Sequence, residues 1–316
     1  MAKILLGLLW LAAGIVSAAD SYPTKPVRIV VATAPGGGDD FAARQLATKL
    51  GELLGQPFLV ENRAGAGGMI GQTLVAKSPP DGYTLLLAGA SMAGARFVNA
   101  NITYDLLKDF TPVSLIEVAP FVLVGRATLP AANVKELIAM GRAQPGKMTF
   151  ATLGPGQYPY WCAAQFHGMA KIRAVEVPYK SLGDAMTDVI AGRVDYWFAP
   201  LSMTVGVKEK LKVLGVTSPE RSDVLPEVPS IAEAGLPGYA LPAWRSIMGP
   251  AGMRPEVVEF LNQAIAVSLA SPDLRERFAK AGSVAMGSTP EGLRKRYEEY
   301  MAMFGKVAKD NNVIPQ

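Results

Sequence analysis

The sequence predicts an α/β fold of two lobes, each a mostly parallel sheet flanked by helices, with two crossing strands as the hinge. Three observations lead there. Short β-branched and apolar runs alternate with helix-period stretches, the pattern of parallel βαβ units. That alternation occurs twice, over residues 27–88 and again over 133–217. Two extended apolar segments, Phe110 to Val124 and Ala240 to Gly249, bracket the second series. Two crossings make the first domain discontinuous, residues 20–123 plus 242–316, around a second domain at 124–241, and a chain of 316 residues is long enough for both. Lobes joined this way close on a small ligand by hinge motion.

The stretch that organises the rest is Val27 to Arg44, VRIVVATAPGGGDDFAAR. It reads as a buried strand, a tight turn and a helix start. Gly36, Gly37 and Gly38 let another molecule approach backbone N–H groups at the strand's carboxyl end, a geometry that suits an anion. Asp39 or Asp40 is expected to cap a helix from Phe41 to Leu54, leaving the glycine amides free and the ligand on the loop, off the helix axis. The segment is neither a G-x-x-x-x-G-K-[ST] loop nor a G-x-G-x-x-G fingerprint, and an ordinary βα connection is the alternative reading. Phe58 to Glu61 follows as a second strand, Asn62 to Gly68 as a second glycine-rich turn, and Ile70 to Ala76 as a helix stopped by Pro79 and Pro80. Tyr83 to Ala88 is a third strand that delivers Ser91 at its carboxyl end. Ligands of open parallel sheets sit beyond those ends, so the loops at Gly36, Gly65 and Ser91 are expected to share one edge.

After the first crossing, Asn133 to Ala143 is a helix with an asparagine cap, Met148 to Thr152 a strand, Gly154 to Gln157 a turn and Trp161 to Ala170 a helix. Val175 to Tyr179, Asp195 to Phe198 and Val213 to Thr217 are strands, with a helix at Leu182 to Ala191. Amphipathic helices near Pro255 to Leu269, Pro272 to Ala281 and Pro290 to Lys309 follow the second crossing. The cleft is expected between Gly36–Gly38 and Gly154–Gln157.

Ahead of both lobes stands a leader, residues 1–19. Lys3 supplies its positive end, Ile4 to Val16 the apolar run, and Ser17, Ala18 and Ala19 the small-residue cleavage site, with the cut before Ala19 or Asp20. The run is short for a bilayer span, and an uncleaved interfacial anchor is the alternative. Net charge falls from +4 to +3 when Lys3 leaves, and the basic residues are scattered, which excludes nucleic acid or an anionic membrane surface as the obvious partner. Cys162 is the lone cysteine, so no internal disulfide forms and no lipid is accepted near the leader. A large exported chain without disulfides fits a bacterial periplasm. His167 is the lone histidine, expected on a helix surface; there is no Cys/His cluster for a metal, no cofactor motif and no Ser/His/Asp spacing.

The residues resemble the periplasmic solute-binding proteins of tripartite tricarboxylate transporters, the Bug-type or TctC-like family, along the whole mature chain. The motifs are YPTKP at Tyr22, APGGGDDFAAR at Ala34, GQPFLVENRAGAGGMIG at Gly55, PDGYTLL at Pro80, YDLLKDFTPVS at Tyr104 and KELIAMGRAQPGKM at Lys135. They continue with VPYKS at Val177, AGRVD at Ala191, TSPERSDVLPEVPSIAEAGLPGY at Thr217 and PAG at Pro250. The resemblance implies two α/β lobes of the type II periplasmic-binding class, a cleft that holds a small carboxylate by main-chain amides and ordered water, and no catalysis. Carried onto this chain, the binding residues are Pro35, Gly36, Gly37, Gly38 and Asp40 in the first loop, Ser91 after the third strand, and Gly154, Gly156, Gln157 and Tyr158 in the opposing loop. Ser181 of VPYKS and Asp195 of AGRVD complete the set.

Several positions depart from the family pattern. Gln157 stands where the family has serine, Tyr160 where it has histidine, Trp161 where it has leucine, and Ser181 replaces a glycine. Asp39 occupies a position usually small or hydroxyl-bearing, where it would repel a second carboxylate or accept a hydrogen bond from the ligand. Rings at Tyr158, Tyr160 and Trp161 beside a carboxylate site would favour an aromatic acid, unless they point into the core. Arg44 and Arg63 read as ion-pair residues, and Trp197, Phe198 and Trp244 as core or hinge packing. Three classes then stand open: a monomeric receptor serving the membrane subunits of a tripartite tricarboxylate-type transporter, a sensor presenting the carboxylate to a membrane signalling kinase, and an enzyme. A cleft without histidine, metal cluster or activated nucleophile disfavours the last.

Overall fold

The computed structural model describes residues 22–315, so the predicted leader and its cleavage site lie outside the described residues. The chain runs through β1 (Val27–Val31), α1 (Gly38–Leu54), β2 (Phe58–Asn62), α2 (Met69–Ala76), β3 (Thr84–Gly89) and β4 (Phe110–Ala119). It continues through β5 (Phe121–Arg126), α3 (Val134–Ala143), β6 (Thr149–Thr152), α4 (Tyr158–Ala170), β7 (Val175–Pro178), α5 (Leu182–Ile190), β8 (Tyr196–Pro200), α6 (Leu201–Val205) and β9 (Leu211–Val216). Last come β10 (Ala243–Pro250), α7 (Pro255–Ala270), α8 (Pro272–Lys280), β11 (Val284–Ala285) and α9 (Pro290–Asp310).

Two sheets form, in the orders β11-β4-β10-β3-β1-β2 and β7-β6-β8-β5-β9. They are mixed, which corrects the expectation of mostly parallel pairing. β1 lies parallel to β2 and β3, and β6 to β7 and β8, but β10 is antiparallel to β3 and β4, and β5 to β8 and β9. The reason is the crossing itself. A strand arriving from the other lobe enters its sheet at the edge where the parallel strands end, and so must run against them. The long extended segment after Phe110 breaks at Pro120, between β4 and β5, because proline offers no N–H to carry a ladder onward. Phe121 to Leu123 therefore pair within the second sheet.

α1 shows why these residues fold as they do. Ala43, Leu46, Ala47 and Leu50 recur at helical spacing and are buried against the first sheet, and Gly55 ends the helix at φ 68°, its N–H bonded to Gly51 C=O. One apolar core runs through both lobes, from Val30 and Leu86 through Leu123 and Phe150 to Trp161, Trp244 and Phe304. Separate clusters lie under α1, α7 and α8 on the outer face of the first sheet and under α5 and α6 on that of the second. α9 joins the lobes a third time: Tyr297 meets Trp244 of β10 edge-on at 4.7 Å, while Phe304 stacks on Trp161 of α4 at 4.5 Å.

Because α4 is covered in this way, His167 is not a surface residue as its sequence context suggests. Its Nε2 lies 2.5 Å from the Tyr196 hydroxyl, its ring meets Phe150 edge-on, and burial pushes its pKa down to about 4.

Candidate ligand-binding cleft

The loops that follow β1, β2 and β3 leave the first sheet at one edge, as the parallel register requires. Facing them is the loop after β6. Between the two lobes lies a cavity of about 350 Å³, walled by Ala66, Gly67, Gln72, Ser91, Asn99 and Asn101 on one side and by Pro155, Gly156 and Gln157 on the other. Among the described residues no charged side chain lines it. Gly67 and Gly156 have φ values of 66° and 87°, backbone that a side chain would strain where the two walls approach.

Of the residues read from sequence, the cavity brings together Ser91, Gly156 and Gln157. Pro35, Gly36, Gly37 and Gly38 lie at the same sheet edge but outside its wall. Their loop is built differently from expectation. α1 starts at Gly38, with Gly37 in the cap position and no side-chain cap. Asp40 instead reaches back: its buried Oδ2 accepts from the Gly36 N–H at 3.0 Å and from Arg44 Nε at 3.1 Å. The Arg44 guanidinium holds the Asp40 carboxyl below the usual carboxylate range. Asp40 is therefore a buried brace and the Gly36 amide is taken, which corrects two expectations at once. The amides of Gly37 and Gly38 have no acceptor among the described residues, and they open the first turn of a 17-residue helix whose dipole favours an anion.

Asp39 does not face a ligand as an isolated charge. Its Oδ1 is 2.5 Å from Arg245 Nε, and its Oδ2 accepts from Thr33 Oγ1 at 3.3 Å. Arg245 also pairs with buried Glu117, which accepts from Ser283 Oγ at 2.6 Å. The expected repulsion of a second carboxylate is thus neutralised. Arg245 escaped sequence reading because its two partners are 206 and 128 residues away along the chain.

In the second lobe the Gly154 N–H is taken by Thr152 Oγ1 and its carbonyl by the Gln157 N–H, which closes the turn. The amides of Gly156 and Tyr158 have no acceptor among the described residues and open α4. The side chain of Tyr158 points away: it is buried, tilts against Phe121 and donates to Pro242 C=O at 2.7 Å. Trp161 is wholly buried against Phe304, and Tyr160 packs edge-on to it. The expected aromatic wall is therefore mostly core.

Two further assignments are corrected. Ser181 caps α5, accepting from the Asp184 N–H and donating to Asp184 Oδ2 at 2.7 Å, so its hydroxyl is spent locally. Asp195 precedes β8 at the opposite end of the sheet, where it pairs with Arg126 at 2.9 Å and accepts from the Thr149 N–H at 2.8 Å. Gln72, Asn99 and Asn101 are wall residues that sequence reading missed. Gln72 lies on α2, the helix after the glycine-rich turn, and the asparagines follow a 3-10 helix, Ala90–Phe97, that no periodicity in the sequence announces.

Among the described residues no group of His, Cys, Asp and Glu side chains could hold a metal, and no helix is long and apolar enough to cross a membrane. What the cleft offers is the free N–H donors that open α4 and several amide side chains in its wall, with the free amides that open α1 at the same sheet edge outside that wall.

Comparison with known proteins agrees with that chemistry. BugT of Bordetella pertussis is 36% identical over 295 residues, covering 92% of this chain and 90% of its own. A solved R. palustris protein with adipate superposes at a TM-score of 0.84 with 32% identity, covering 93% of this chain and all of the other. MatC from Rhodopseudomonas palustris with bound malate gives 0.80 with 30% identity over 91% of this chain and all of its own. The profile described as "Tripartite tricarboxylate transporter family receptor" matches residues 42–312, and the chain belongs to that family, TctC.

Proposed function

We propose that the protein is a periplasmic receptor that captures a small aliphatic carboxylate between its two lobes and delivers it to the membrane subunits of a tripartite tricarboxylate-type transporter. The observation that carries this reading is a set of free N–H donors at a cavity whose wall, among the described residues, holds no charged side chain. Among the described residues, N–H groups without an acceptor open α4 at the cavity and α1 at the same sheet edge outside its wall, and no charged side chain lines the cavity. Each such N–H on a carboxylate contributes about 1.5–3 kcal/mol, so three or four supply much of the ~8 kcal/mol of a micromolar affinity.

The two sheets, with their helices, act as lobes that close about Pro120 and Pro242, and export begins with cleavage before Ala19 or Asp20. The aliphatic assignment follows from Tyr158 and Trp161 lying in the core, and two structural neighbours hold adipate and malate. The test is a thermal-shift screen of acids against their amides. A ligand that binds only the folded state raises the melting temperature by mass action. Adipate or malate raising it while adipamide or malamide does not supports carboxylate capture; equal shifts from acid and amide would refute it.

A further inference from the structure

On the other side of the 3-10 helix Ala90–Phe97 lies a second cavity of about 330 Å³, within the size range of small-molecule sites. Its interior is largely apolar: Met92, Ala93 and Leu106 are buried, and Ile102 and Met301 of α9 complete it. Two charged side chains stand in its wall. Asp105 is already committed, its Oδ1 accepting the N–H groups of Leu107 and Lys108 at 3.0 and 3.2 Å, with Lys108 Nζ 3.9 Å from Oδ2. Arg96 is exposed, its guanidinium 5.7 Å from the Phe97 ring, and it has no ion pair or hydrogen-bond partner among the described residues. One layer of chain separates this cavity from the cleft, since Met92, Ala95, Asn99 and Ile102 line both. The same short helix meets the second lobe at Gly94, where any Cβ would lie 2.6 Å from the Trp161 ring.

We propose that this second cavity is a separate binding site for an amphiphilic monoanion, an aliphatic chain of medium length lying among Met92, Ile102, Leu106 and Met301 with its single charge on Arg96 at the rim. Unbranched, flexible methionines adapt to a flexible chain, and an unpartnered guanidinium at the mouth of an apolar cavity takes an anion without displacing an internal ion pair. A doubly charged acid gains nothing here, because its second charge would be buried against apolar side chains or brought toward Asp105. Occupancy also bears on the cleft. The chain presses on a wall that both cavities share and on the Gly94 contact between the lobes, so it weakens binding in the cleft, and a cleft ligand weakens the amphiphile by the same factor.

The experiment titrates octanoate and octan-1-ol calorimetrically into the whole mature protein. Octanoate is expected to bind about threefold more tightly than the alcohol, the yield of one solvent-exposed ion pair, and to lose that margin in Arg96→Gln. Met301→Trp, which fills the second cavity and touches no wall of the cleft, should weaken both probes about tenfold or more. Should that variant fold poorly, the exposed Arg96→Gln still decides. Adipate is then titrated at rising octanoate. Its apparent affinity should fall about fivefold and level off, the signature of two coupled sites, and should not respond to octanoate in Met301→Trp. Three results would overturn the assignment: no octanoate binding to the wild-type protein, the same octanoate affinity in both variants as in wild type, or an adipate affinity that keeps falling in proportion to octanoate, which would put the chain in the cleft. If adipate does not bind at all, the carboxylate-receptor reading falls, while the octanoate titrations still decide the second site.

Discussion

Tyr158 and Tyr300 donate their hydroxyls to one acceptor, the carbonyl of Pro242, at 2.7 and 2.9 Å. One tyrosine opens α4, the other lies on α9, and Pro242 is the last residue before β10. The second crossing is thus clasped from both lobes.

Removing either hydroxyl leaves the carbonyl one partner, so Tyr158→Phe and Tyr300→Phe are each expected to cost about 1 kcal/mol. Removing both leaves a shielded carbonyl unsatisfied, and the double variant should lose more than the sum of the singles. Urea denaturation of the four proteins measures this. Strict additivity would show that the two bonds do not share the acceptor's energy.

Arg245 is the charged centre of the first lobe, with Asp39 on one side of its fork and Glu117 on the other. Glu117 is about 1% exposed. Arg245→Met strands that carboxylate with only the Ser283 hydroxyl, a loss expected at about 3–5 kcal/mol. Adding Glu117→Gln should restore part of the stability, because the uncompensated charge is then gone. A double variant no more stable than Arg245→Met would mean that packing of the guanidinium, not its charge, is what the site needs.

His167 makes stability depend on pH in a definite direction. Its folded pKa is pushed down to about 4, below the ordinary 6.5, because burial disfavours the imidazolium. The unfolded chain therefore binds the proton first on acidification. The contribution is fully present above pH 6.5 and is lost as pH falls from 6.5 toward 4. Between pH 7.5 and pH 5 the loss should be about 2 kcal/mol. As the chain has a single histidine, His167→Gln should flatten most of that slope. An undiminished slope in the variant would place the titrating group elsewhere.

Much of this was legible in the sequence, for physical reasons. Strands such as VRIVV and TLLLAG are short, apolar and followed by glycine or a small residue, and a strand end at a glycine loop looks the same in sequence as in space. Ser91, Gly156 and Gln157 line the cavity because their position along the chain puts them at those ends. What stayed hidden was set by distant partners. Nothing near Tyr158 says that Pro242 will accept its proton, nor that Gly94 leaves room for the Trp161 ring where any Cβ would strike it. The roles of Asp39 and Asp40 are decided by Arg245 and by the backward turn at Gly36, neither of which a capping rule anticipates. Asn99 and Gln72 are recognisable as wall residues only once the loops that carry them are folded together.

The last prediction separates bracing from binding in the first glycine loop. Asp40 is nearly buried and touches no cavity wall, yet its Oδ2 fixes the Gly36 N–H and so sets the direction in which the next two amides point. Asp40→Asn retains an acceptor for Gly36 and gives up the charge on Arg44. Asp40→Ala gives up both. Since Arg44 is half exposed, its ion pair contributes modestly, and the two variants should differ little through that interaction. Affinity for adipate should therefore fall about tenfold in Asp40→Ala, the value of one well-aimed donor to a carboxylate, and remain within about twofold in Asp40→Asn. Calorimetric titration of both proteins decides it. Wild-type affinity in Asp40→Ala would mean that the Gly37 and Gly38 amides are held in place by α1 alone, or that the ligand does not use them.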